Sequence, residues 1–386
     1  MKLAPYHRDI LRGESGPAVA LALQTLVSYG EAFGAGRLVP VKSSHLAGSF
    51  GIVVFEAYLH ILDRLAGEGA KVKVPTTVNP RPGRTLTLIN RGIFLKQRRL
   101  ERALDRIGVT PNYSCVCYDG ANVPEAGDCL AWAESSAVQY ANSVLGARTN
   151  RNSLLIDVCS AVTGVTPEFG YLLDEHRRAS LLVRLEVERM DAAALGFLLG
   201  QRVVNRVPVI EHHPFSEVEL KNMGGAMAAS GAVALFHVEG LTPEAPDLKT
   251  ALGGGGAPET MTVTQRDLDE LRTPEPESAD QVVFGCPQMT LDEALALSVH
   301  FEGRRVRRPT RFFVVPDALR RFRETAEYGW VRDAGVEVLP YCPLAALSVR
   351  RRGNRVLTSS GKLYYYLDRT AYGSELDCLR ASGAVA

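Results

Sequence analysis

The chain has 386 residues, of which 46% are hydrophobic and 23% charged, and its formal net charge is +1. That length allows two or three folding units around sizeable cores, and the near-neutral balance gives no electrostatic reason to expect a nucleic-acid or anionic-membrane partner. Residues 1–16 lack an apolar leader core and no apolar run is long enough to span a bilayer, so a cytoplasmic protein is expected, its seven cysteines thiols or metal ligands rather than disulfides.

In chain order, residues 6–12 and 16–33 predict a helical pair with Val19, Leu23, Leu26 and Val27 on its apolar stripe. Residues 37–41 predict a strand that runs into a polar loop, 43–51, and 52–66 predict a helix. Residues 71–75 predict a second strand, emptying into T-T-V-N-P at 76–80, and 95–107 a helix. A third strand is expected at 113–117, followed by a loop with Gly120, Pro124 and Gly127 and a small-residue helix over 130–145. This alternation implies a parallel sheet whose three polar loops share one edge. Further on, a strand is expected at 179–187, helices at 192–203 and 217–230, and a strand at 233–238. Residues 241–280, rich in proline and glycine, read as a linker or excursion. The last stretch, 281–386, alternates strands at 281–285, 311–315 and 336–340 with helices at 291–301 and 318–334. A strand-like run closes it at 363–367, giving a doubly wound subdomain. The fold class is therefore multi-domain α/β built from parallel βα units, with boundaries near 240 and 280.

Cys115, Cys286 and Cys342 share one local context: each follows a short apolar strand and precedes a loop, and two are followed by proline. Strand C-terminal ends converge on a crevice in α/β units, so these thiols could meet there. Three thiolates suit an iron–sulfur cluster with one corner open for substrate; the alternative is three small buried hydrophobes. Cys129, Cys159 and Cys378 fit core packing better, and Cys117 stays open. Glu211-His212-His213 lacks useful ligand spacing and reads as a surface loop.

Several ordered motifs carry a family resemblance. They are K-S-S-H-L-A-G at 42–48, T-T-V-N-P at 76–80, A-W-A-E-S-S-A at 131–137, A-N-S-V-L-G-A-R-T-N at 141–150, G-C-P at 285–287 and S-G-K at 360–362. On them the chain resembles the large subunit of the aconitase X family, a divergent branch of the aconitase superfamily, over most of its length. The resemblance implies an aconitase-like fold and a hydro-lyase whose cluster, [4Fe–4S] or isolated as [3Fe–4S], is held by Cys115, Cys286 and Cys342. It implies a separate small subunit carrying a swivelling domain and the proton-abstracting serine. Family members dehydrate (R)-5-phosphomevalonate or cis-3-hydroxy-L-proline, and the 42–48 and 76–80 motifs are more similar to those of the first group. A catalytically silent scaffold subunit is the reading from another class.

Within that frame Glu134 and Ser135 are expected catalytic residues at a helix start, with helix capping as the plain alternative. Gly48, Ser49 and Phe50, leading into a helix, would hold an anion. Asn79 and Pro80 would meet a carboxylate, and Arg148 would clamp a phosphate or carboxylate. Ser360, Gly361 and Lys362 would offer a hydroxyl, amides and a cation, with a hairpin turn as their alternative.

Overall fold

The computed structural model describes residues 1–48, 56–83, 91–254, 259–347 and 355–385. Ser49 and Phe50, expected to bind substrate, lie outside these. The chain divides into two compact units, Met1–Tyr113 with Cys117–Arg178, and Ser114–Val116 with Ala179–Ala386. The first break thus falls at 178 rather than at 240.

In the first unit, α1 (Pro5–Leu11) and α2 (Pro17–Ala32) precede β1 (Leu38–Pro40), which pairs antiparallel with β5 (Val165–Pro167). The expected strand at 37–41 is therefore not a member of the parallel sheet. That sheet is built from β2 (Ser43–Leu46), β3 (Thr76–Val78) and β4 (Leu130–Trp132), in the order β3-β2-β4 and all parallel. Each strand lies where a loop or helix is expected from the pattern. The reason is polarity: three of the four β2 side chains are polar yet fully buried, because the fold supplies their partners. Ser44 Oγ donates to the Ala131 carbonyl at 2.9 Å, and Trp132 Nε1 donates to Ser43 Oγ at 3.2 Å. Residues 113–117, expected as a strand, form none; Tyr113 has a φ of 48° and turns the chain instead. Helices α3 (Glu56–Gly67) and α4 (Arg91–Ile107) pack Leu59, Leu62, Leu65 and Leu100, Leu104, Ile107 into one core with α2 and α6 (Leu154–Thr163). Burial of such leucines contributes about 2 kcal/mol each.

The second unit carries two parallel sheets. The first, in the order β8-β7-β6-β9, joins β6 (Leu181–Glu186), β7 (Pro208–Ile210), β8 (His237–Val238) and β9 (Glu259–Thr264). The stretch 241–280 is thus no linker: β9 inside it pairs with β6 over six residues. Helices α7 (Ala192–Val203) and α8 (Glu217–Gly231) belong here, α8 opened by a capping box between Ser216 and Glu219.

The second sheet has the order β12-β11-β10-β13-β14, from β10 (Gln281–Met289), β11 (Thr310–Val314), β12 (Glu337–Leu339), β13 (Val356–Thr358) and β14 (Thr370–Tyr372). All neighbours are parallel. This is the doubly wound order expected, and its switch point lies at the C-terminal end of β10, the place where such sheets bind ligands. The run 363–367, expected as a strand, is helical in α15 (Gly361–Tyr366). Its β-formers are overridden by Ser360, which accepts from Leu363 N–H at 3.0 Å and so caps a helix start. The expected helix 318–334 is two, α12 (Pro316–Phe322) and α13 (Ala326–Ala334), the second capped by Thr325.

Candidate active site

The candidate residues fall into two groups, one in each unit. In the first unit the three parallel strands end side by side. The Asn79 amide donates to the Leu46 carbonyl at 3.0 Å and the Ala133 amide to the His45 carbonyl at 3.1 Å. Their exits are Ala47-Gly48, Asn79-Pro80 and Ala133-Glu134, so this edge carries two of the three expected loops, with Ala133-Glu134 in place of the loop after residues 113–117. Asn79, Pro80 and Glu134 are buried. A Cβ at Gly48 would lie 2.6 Å from Leu154 Cδ1, so the tight approach there is to a side-chain tip.

Glu134 is the N-cap of α5 (Ser135–Ser143). Its Oε2 accepts from Ala137 N–H at 2.8 Å and from Ser136 Oγ at 2.7 Å, whereas Oε1 stands 3.5 Å from Ser135 Oγ. The capping alternative is thus realised, and it engages one oxygen of the carboxylate. His45 is the residue that the sequence pattern does not single out. It is fully buried, its Nδ1 lies 2.8 Å from Thr77 Oγ1, and its Nε2 has no partner among the described residues. Burial pushes its imidazole down to about 4, with the Glu134 carboxylate pulling the other way. A polar β-strand carrying a histidine is the signal that would have found it.

Arg148, expected to clamp an anion, is engaged by groups of the protein itself. Its Nη1 pairs with Asp174 Oδ1 at 2.5 Å and donates to the Leu172 carbonyl at 3.2 Å. The rest of the 141–150 motif is bracing too. Asn142 exchanges bonds with the Thr149 backbone at 2.9 Å in both directions, and the buried Arg177 donates to the carbonyls of Asn142 and Ala147. Asn150 Nδ2 bonds the Phe169 carbonyl at 2.9 Å.

In the second unit Cys115, Cys286 and Cys342 are all buried. Cys286 sits in a bulge of β10: Phe284 faces Phe312 and Met289 faces Val314, so five steps on β10 match two on β11. Such a bulge turns side chains out of the ladder at the sheet's switch point. Gly285 permits it, with a φ of +95° and no room for a Cβ, which would lie 2.2 Å from the Phe313 carbonyl oxygen. The Cys286–Pro287 peptide is cis.

The three thiols lie within electrostatic reach of one another. Burial pushes the Cys286 thiol up, and Cys342 and Cys115 add to the rise. Burial raises the Cys342 thiol to about 12, with Cys115 again adding. Groups that favour a thiolate surround them. Gln288 N–H donates to Cys115 Sγ at 3.2 Å, the backbone N–H groups of Ala345 and Leu344 reach Cys342, and Ser360 reaches Cys286. Lys362, itself buried, lowers both Cys286 and Cys342. Ser360 Oγ also donates to the Cys286 carbonyl. Gly361 brings α15 onto α7 and α8, a Cβ there meeting Ala226 Cβ at 2.7 Å and the Ala193 carbonyl oxygen at 2.8 Å.

This donor set fits an iron–sulfur cluster. Among the described residues no three His, Cys, Asp or Glu side chains stand close enough to share a single metal ion. Desolvated thiols with N–H, hydroxyl and ammonium partners are poised to become thiolates once a metal compensates their charge. A cavity of about 510 Å³ also opens beside Cys286, Pro287 and Ser360, with Asp292, Glu293 and Glu375 in its wall.

Comparison with known proteins places this architecture. The family models described as aconitase X first, second and third domain match residues 1–175, 178–273 and 279–384. The chain belongs to the aconitase X family. It is 32% identical to the phosphomevalonate dehydratase large subunit of Methanosarcina mazei, over 99% of this chain and 98% of that protein. It is also 32% identical to that of Thermococcus kodakarensis, over 98% and 97%. The cis-3-hydroxy-L-proline dehydratase of Pseudomonas aeruginosa is 33% identical over 79% of this chain and 55% of its own length. The crystal structure of the holo form of Thermococcus kodakaraensis aconitase X superposes with a TM-score of 0.89, at 30% identity, over 99% of this chain and all of that one.

Proposed function

We propose that the chain is the large subunit of a hydro-lyase that dehydrates (R)-5-phosphomevalonate to trans-anhydromevalonate 5-phosphate, acting in the cytoplasm with a separate small subunit. Coverage carries this reading. At 32% identity the phosphomevalonate dehydratase large subunits align over 98–99% of this chain, whereas the hydroxyproline dehydratase of Pseudomonas aeruginosa aligns over 79% of it.

Cys115, Cys286 and Cys342 are the proposed holders of the cluster, which when bound supplies a Lewis-acid iron for the departing hydroxyl. The chain's own side chains account for the rest. Glu134 keeps Oε2 in the helix cap and so holds Oε1 in a fixed direction, where it can hold or receive a proton. Ser135 offers its hydroxyl and backbone N–H at the same helix start. Gly48, Asn79 and Pro80 shape the neighbouring strand exits, with the Asn79 side-chain amide as a carboxylate donor. Lys362 and Ser360 offset negative charge beside the thiols. Arg148 has no part in this reading, being held by Asp174. The proton-abstracting serine is assigned to the small subunit.

The test is anaerobic co-expression with a small subunit of the same family, cluster reconstitution and assay of both candidate substrates. Dehydration of phosphomevalonate is the expected result. Turnover of cis-3-hydroxy-L-proline alone would overturn the substrate, and turnover of neither by an iron-loaded complex would favour a scaffold.

A further inference from the structure

Gln288 is fully buried two residues beyond Cys286, in the bulge of β10, and no motif reading of the sequence assigns it a role. Its Oε1 accepts the Cys115 backbone N–H at 3.3 Å and lies 3.9 Å from Cys115 Sγ. Its Nε2 donates to the Tyr341 carbonyl, next to Cys342, at 3.3 Å and to the Val314 carbonyl of β11 at 3.4 Å. Its own N–H donates to Cys115 Sγ at 3.2 Å. Its carbonyl accepts from the buried Lys221 Nζ at 3.0 Å, and Lys221 is paired with Glu293. One amide side chain thus ties the Cys115 segment to the residue before Cys342, while its backbone continues from Cys286. Three cysteines that lie 171 and 56 residues apart in the chain are joined at a single neutral residue, two through its side chain and one through its backbone.

We propose that Gln288 is the positioning residue of the three-cysteine site: it fixes the spacing of the thiols before iron arrives and determines how firmly a cluster is retained. The chemistry of an amide suits the task. It has an acceptor for Cys115 N–H and donors for two carbonyls, and it adds no charge beside three thiolates. A carboxylate of the same size would set an acceptor against both carbonyls and a negative charge against the sulfurs. Partners of this kind, one bond removed from the metal ligands, hold ligand geometry in other metal sites. The proposal rests on the cluster reading.

The experiment compares wild type, Gln288→Met, Cys286→Ser and the core variant Phe322→Leu, each as the full chain co-expressed with the small subunit and reconstituted anaerobically. Phe322 is a buried residue of the same unit and controls for loss of stability alone. The measurements are iron and sulfide content, the rate of iron loss to a chelator, and the EPR spectrum of the oxidised cluster. Gln288→Met is expected to lose iron about tenfold faster than both wild type and Phe322→Leu, with a shifted spectrum. Loss at the wild-type rate with an unchanged spectrum, or loss no faster than in Phe322→Leu, would overturn the proposal. Failure of wild type to take up a cluster, or wild-type iron content in Cys286→Ser, would instead overturn the cluster reading beneath it. Should Gln288→Met not fold, Gln288→Asn, a neutral amide too short to span both segments, enters the same comparison with the same expectation.

Discussion

Glu134 combines two roles that separate cleanly by substitution. In Glu134→Gln the amide oxygen still accepts the Ala137 N–H, so stability should stay within about 1 kcal/mol of wild type. Dehydration should fall about a hundredfold or more, because the proton-carrying oxygen is gone. Thermal unfolding beside steady-state kinetics checks both, and full activity would leave Glu134 a cap only. His45 makes a prediction in pH. Unfolded, it takes a proton near 6.5; folded, it resists protonation down to about 4. Between those values the unfolded chain binds more protons, so acidification favours unfolding, by about 3 kcal/mol across the whole window. The difference in unfolding free energy between wild type and His45→Gln should therefore change as pH falls from 6.5 to 4 and be flat above it. A difference independent of pH would show that His45 is not buried neutral. Arg148→Ala should leave the KM for phosphomevalonate nearly unchanged, since its guanidinium is held by Asp174 and Leu172. A large rise in KM would restore the anion-clamp role.

At the level of elements, the helices were the readable part. Residues 192–203 were expected as a helix and are one, because alanine, leucine and a capping Asp191 all agree. The strands of the first unit were not readable, since Ser43, Ser44, His45, Thr76 and Thr77 look like loop residues until their buried partners are known. The strand β9 was hidden for another reason. It is an edge strand with mostly exposed or half-buried side chains, so no hydrophobic run marks it between its glycines and prolines. At 363–367 the tyrosine-rich pattern favours a strand and tertiary packing wins. Gly361→Ala tests that packing: the new methyl meets Ala226 and the Ala193 carbonyl and should cost about 1–3 kcal/mol. Denaturant unfolding reads it, and an unchanged midpoint would mean that α15 shifts freely.

The whole molecule joins distant parts of the chain. Cys115 is flanked in sequence by the first unit yet belongs with the second, where Cys286 and Cys342 lie. An expected strand-end context marks these three cysteines out in the sequence, whereas Cys115 follows no strand and Cys286 lies within β10; nothing local could reveal Gln288 as the side chain between them, because its partners come from three separate segments. No helix among the described residues is long and apolar enough to cross a membrane. The decisive measurement is iron and sulfide analysis, with an activity assay, of the chain co-expressed with the small subunit and reconstituted anaerobically, in four forms: Cys115→Ser, Cys286→Ser, Cys342→Ser and Cys117→Ser. A cluster held by the first three cysteines predicts that each of those variants loses most of its iron and its activity, while Cys117→Ser keeps both. Wild-type iron content in any of the three, or loss confined to Cys117→Ser, would contradict the three-cysteine site.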